Sequence, residues 1–211
     1  MRRLAILSLT TALTLAASTA SASTILFATL THDQETPPGG TTPPTTSTGA
    51  PRPLAYGTAI FELNDAQTEL SMIATIYDID VTGSQTTDTF DDLVAAHIHV
   101  GAPPGVNAPV RWGFFGAPDN DINPDNLLVV PFATGVGGVF TSIWNQPEGN
   151  GGTTLTTNLP DILAGLSYLN FHTVQFPGGE IRGQITAPEP ATLALLGLAG
   201  LAMARRIRRE R

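Results

Sequence analysis

The central part of this 211-residue chain predicts an all-β domain, an antiparallel Greek-key-like sandwich or partly closed barrel, and three observations carry that prediction. Short runs rich in Ile, Val, Thr, Phe and Tyr recur between residues 24 and 185, separated by Gly, Pro, Asn and Asp clusters. No stretch of that region sustains the 3.6-residue period of an amphipathic helix. Cysteine is absent, so packing and hydrogen bonds must stabilise the fold without a disulfide. With the two ends set aside, the length suits one core and leaves no room for a second domain of typical size.

Residues 1–22 read as a signal peptide. Arg2 and Arg3 form a basic start, residues 4–17 (LAILSLTTALTLAA) an apolar stretch, and Ala20-Ser21-Ala22 a small-residue site, which predicts cleavage by signal peptidase between Ala22 and Ser23.

The β domain is expected over residues 23–187. A first strand at 24–30 leads into residues 36–53, whose six prolines predict an exposed polyproline-like loop. Further strands are expected at 56–63, 68–79, 91–101, 126–132, 137–144, 165–174 and 179–185, about eight in all. The segment LPDILAGL (159–166) can form a helical turn or two.

Residues 188–211 form a distinct tail: Pro188-Glu189-Pro190, an apolar run at 191–204, and a basic end at 205–211 with Arg205 and Arg206 at its head. As a short transmembrane helix the run would span about 21 Å, against a hydrocarbon core of about 30 Å. That suits a transient membrane anchor, with the arginines held on the cytoplasmic side.

Charge narrows the partners. The chain has no lysine, and residues 23–188 hold three arginines against 16 acids, a formal charge of −13 where the whole chain carries −8. Nucleic acid is therefore a poor partner, and cations or a polycationic surface are better ones.

The candidate chemistry lies in histidines. Alternation along a strand puts His97 and His99 on one face with Leu93 and Ala95, and leaves Val94, Ala96, Ile98 and Val100 for the core. The same rule groups Tyr168, Asn170 and His172. If the strands are neighbours, three imidazoles can converge on zinc or copper, with Glu35 or His32 as a fourth ligand or an orienting partner. The alternative is that these histidines hydrogen-bond sheet-face neighbours or face solvent. A second candidate is PDNDINPDN (118–126), where Asp119, Asp121, Asn123 and Asp125 recur at every second residue, as the ligands of an irregular calcium loop do. Pro124 and Val130 stand where an EF-hand needs glycine and glutamate, so a turn held by Asx hydrogen bonds is the other reading. Glu180 and Arg182 share a strand face, where an ion pair to each other or to another acid is expected. No nucleophile elbow, P-loop or dinucleotide fingerprint occurs, and no catalytic residue is singled out.

Two resemblances follow from these residues. Pro188-Glu189-Pro190, the apolar run and the terminal arginines resemble the PEP-CTERM sorting signal of exported bacterial proteins. That resemblance implies recognition by an exosortase, cleavage near the Pro-Glu-Pro, and delivery to the cell surface or extracellular matrix, where extracellular polysaccharide or a surface protein would be the partner. Glu35 with Pro37-Pro38, Gly57, Ala59 and Leu63, AAHIHVG (95–101), YLNFHT (168–173) and GGEIRGQI (178–185) resemble the CHRD domain. It implies an extracellular β-sandwich module with a binding or structural role. A metal-dependent oxidoreductase of the superoxide-dismutase sandwich type is the alternative, weakened by the small number of histidines.

Overall fold

In the computed structural model of the chain, which describes residues 23–188, nine strands form one antiparallel sheet. They are β1 (Thr24–Thr31), β2 (Tyr56–Leu63), β3 (Glu69–Tyr77), β4 (Leu93–Val100), β5 (Val110–Gly116), β6 (Leu128–Pro131), β7 (Gly137–Asn145), β8 (Ser167–Thr173) and β9 (Ile181–Ile185). One helix, α1 (Leu155–Leu163), joins β7 to β8. The sheet order is β5-β4-β8-β9-β1-β2-β3-β7-β6.

The sheet curls into a half-barrel because its concave face is the apolar one. Strand β2 alternates exposed and buried residues without a fault, and β1 and β3 follow it over most of their length. The inward residues of the two halves meet across the core. Trp112 of β5 stacks on Trp144 of β7 with ring centres 5.6 Å apart, and Phe171 of β8 meets Phe140 of β7 edge-on at 5.2 Å. Each such side chain contributes about 2 kcal/mol or more by leaving water. The fold line lies between β9 and β1, whose pairing is reduced to Thr31 with Arg182 and a bridge between Phe27 and Thr186. There Gly183 lets the strands close, since a Cβ would lie 2.6 Å from the Thr29 carbonyl oxygen.

Three expectations are corrected here. The structure has nine strands rather than eight, β5 being the addition. The helix starts at Leu155, ahead of the expected 159, because Thr154 and Thr157 form a reciprocal capping box that satisfies the first turn. It also sends Leu155, Leu159 and Ile162 into the core. The proline-rich segment is tied down: Thr45 bridges Pro51, the Thr45 amide donates to Gln175 at 3.1 Å, and Arg52 reaches into the domain.

Candidate metal centre

Strands β4 and β8 pair in register, His97 opposite Asn170 and His99 opposite Tyr168, and this sets the site. Alternation holds from Ala95 onward and fails before it. A bulge between Leu93 and Ala95 puts Leu93 into the core and leaves Val94 41% exposed, contrary to expectation. Past the bulge, His97 and His99 point away from the core, and His172 arrives beside them from β8. This second face is covered by loops rather than by water: His97 is 5% and His172 6% exposed.

The three rings cluster tightly. Ring centres lie 4.9 Å apart for His97 and His172, 5.9 Å for His97 and His99, and 6.1 Å for His99 and His172. One nitrogen from each ring lies within 4.8 Å of the other two, the one such group of ligating side chains among the described residues.

Hydrogen bonding fixes which nitrogens those are. Each ring donates one N–H to a backbone carbonyl of a different loop: His97 Nε2 to Ala117 at 3.1 Å, His99 Nδ1 to Ala108 at 2.8 Å, and His172 Nδ1 to Pro177 at 3.0 Å. A neutral imidazole has one N–H, so His97 Nδ1, His99 Nε2 and His172 Nε2 are left as lone pairs. His97 Nδ1 and His172 Nε2 stand 3.2 Å apart, and His99 Nε2 is sealed from solvent without a partner. Lone pairs facing each other at that range repel unless a cation lies between them. The separation matches two ligands of a tetrahedral ion at about 2.0–2.1 Å each, whose nitrogens fall about 3.3 Å apart. Carbonyls that hold the far nitrogen of each ring are the usual orienting partners of metal-bound histidine.

Electrostatics favours the neutral, ligating form. Burial lowers the pKa of His97, and it takes His99 down to about 4. His172 also falls to about 4, through burial and then through its two histidine neighbours.

Glu35 stands one layer out. Its carboxylate accepts from Asn170 Nδ2 and from the Thr36 amide, and it is not among the clustered ligand groups. Asn170 Oδ1 is buried without a partner next to it. His32 is elsewhere, its Nδ1 against the Glu180 carbonyl and its Nε2 against that of Thr42, both at 2.9 Å. In the 118–126 loop Asp119 accepts from the Asp121 amide and Asp125 from that of Leu127, while buried Asp121 takes the Ser142 hydroxyl and the Asn126 amide. Asn123 gives its amide to Glu148 at 2.7 Å. These are the bonds of an Asx-rich turn.

Two features escaped the sequence reading. Glu180 pairs with Arg52, at 2.5 and 2.6 Å through both guanidinium ends, with side chains 0% and 6% exposed. Arg182 has no part in that bridge. Its guanidinium lies 3.4 Å from the centre of the Tyr168 ring, which in turn stacks on His99 at 4.6 Å. Sequence spacing could not reveal these pairings, since Arg52 sits in a proline-rich loop 128 residues from Glu180.

The export and sorting residues Ala22, Glu189, Pro190, Arg205 and Arg206 lie outside the described residues, as does the expected membrane helix at 191–204; Ser23 and Pro188 are the described ends. Among the described residues no helix is long and apolar enough to cross a membrane. A family model described as the CHRD domain matches residues 26–185, and one described as the PEP-CTERM protein-sorting motif matches residues 186–209. No curated protein and no solved structure matches the chain.

Proposed function

The chain belongs to the CHRD domain family, with a PEP-CTERM protein-sorting motif directly behind the domain, and from that premise we propose that it is a non-enzymatic surface module that holds one zinc or copper ion at His97, His99 and His172. The sorting motif marks the protein for export, exosortase processing with transient membrane anchoring, and the cell surface. There it would meet surface polysaccharide and other surface proteins.

The metal reading is supported by one observation above the others: three imidazole lone pairs converge while every opposite nitrogen is held by a backbone carbonyl. Three nitrogen donors suit either zinc or copper. The ion would link strands β4 and β8, with the loops at Ala108, Ala117 and Pro177 holding the ligands. Burial of His97 and His172 favours a binding or structural ion over the oxidoreductase alternative, which needs an open coordination position within reach of substrate.

Elemental analysis of the exported protein tests the proposal, together with thermal melting of chelator-stripped protein at pH 7.5. About one zinc or copper per chain is expected, with a melting temperature that rises on adding back that ion. His99→Ala should remove most of the rise, measured against that variant's own apo melting temperature, which loss of the Tyr168 stack and the Ala108 bond lowers. Metal-free native protein whose melting ignores both ions would overturn it.

A further inference from the structure

The convex face of the sheet is a second surface, independent of the histidines. Residues that alternation turns outward line up in rows, because β1, β2 and β3 pair without a register shift. One row runs Phe27, Ile60, Ile73 and, beyond Thr141, Leu128. These four apolar side chains are 42%, 50%, 55% and 57% exposed. The next row is Thr29, Thr58 and Thr75, continued by Val139 and Val130. Past it Tyr56 and Tyr77 stack on each other at 4.7 Å.

Charge is nearly absent from this face. A domain of formal charge −13 places only Glu62 and Glu69 on the outward side of these strands, at one margin, and no arginine. Four strand spacings of about 4.8 Å by seven residues at about 3.4 Å give a footprint on the order of 500 Å². Apolar side chains share that footprint with Thr29, Thr58, Thr75 and Thr141, so its apolar part falls within the range a lone soluble domain exposes while the whole is uncharged but for one margin.

We propose that this face packs on the same face of a second copy, sheet against sheet, as a two-fold dimer. Two copies repel over most of their surface, and here approach costs least. A two-fold axis along the apolar row lays Ile60 and Ile73 on their own counterparts and brings Glu62 of one copy over Thr58 of the other, so that no carboxylates are opposed. Two footprints total about 1,000 Å², the threshold of specific interfaces, so the dimer is reversible. A glycan is the poorer occupant, because these rows carry no amide or charged group to bond it and the two tyrosine rings are spent on each other.

Sedimentation equilibrium of the exported protein, in chelator and without it, reads the association separately from the metal centre. A monomer–dimer equilibrium is expected under both conditions. Ile73→Lys should weaken it about tenfold or more, with an unchanged far-UV spectrum because the residue is half exposed. Ile73→Glu alone should do the same, and mixing the two variants should restore association, as only an isologous contact near Ile73 can. Dimers indifferent to Ile73→Lys, or variants that fail to rescue each other, would overturn the proposal. So would a monomer at every concentration, including one that binds neutral polysaccharide through this face.

Discussion

Acid should destabilise the metal-free domain in a defined pH window. His99 and His172 have pKa values near 4 in the folded state against 6.5 when unfolded. Below pH 6.5 the unfolded chain takes up protons that the folded one refuses, so stability is full above that pH, declines as pH falls, and levels off below about 4. At pH 5 each ring accounts for roughly 2 kcal/mol, and interaction between the rings reduces the pair to about 3 kcal/mol. With an m-value near 2 kcal/mol/M in urea, the unfolding midpoint should drop by about 1.5 M between pH 7.5 and 5.0. Buried Asp91 and Asp121 have raised pKa values and act in the opposite sense, contributing stability at low pH that is lost as pH rises through them. A variant separates the two groups: His172→Gln keeps a donor for the Pro177 carbonyl and cannot titrate, so its midpoint should fall by about half as much. Equal midpoints at the two pH values, or a full drop in His172→Gln, would refute the neutral-imidazole cluster.

Glu180→Gln should cost about 3–5 kcal/mol in urea unfolding by leaving the buried Arg52 guanidinium uncompensated, and Arg52→Gln in the same chain should recover part of it. Gly179→Ala should destabilise by about 2 kcal/mol or more, because Gly179 has φ +127° and a Cβ would stand 2.6 Å from Asn170 Oδ1 and closer still to Glu35. Intact-mass measurement of surface-isolated protein should place the C-terminus near Pro188-Glu189-Pro190; a mass that includes Arg211 would count against processing there.

Most of the sheet was legible because its strands carry uninterrupted alternation, as in β2, where every second residue from Gly57 to Leu63 is buried. Strand β5 was hidden by glycine and flanking proline, although Val110, Trp112 and Phe114 do alternate. Its Gly113 has a structural cause: a Cβ would lie 1.8 Å from the Pro118 carbonyl oxygen, so the chain turns back across the strand at that point. The same return brings the Ala117 carbonyl to His97. The histidine set was thus readable from period and type, whereas the groups that orient it are main-chain carbonyls, which no residue type announces. The buried Arg52–Glu180 bridge was equally hidden, because proline-rich composition signals loop and says nothing about where one of its side chains will anchor.

The placement of the first and last strands bears on how the protein leaves the cell. Strands β1 and β9 join the two halves of the sheet, so the strand synthesised last is needed at its middle. Segments made earlier can pair within β1-β2-β3-β7-β6 and within β5-β4-β8, but closure waits for residues 181–185. The sorting motif begins at residue 186, one position later. A chain crossing the membrane from its N-terminus therefore presents β9 to the outside while the sorting segment is still being handled. Such long-range closure is slow and leaves strand edges open to wrong partners. Holding the chain at the membrane until it is processed would give that closure time to complete, so that release follows folding rather than preceding it.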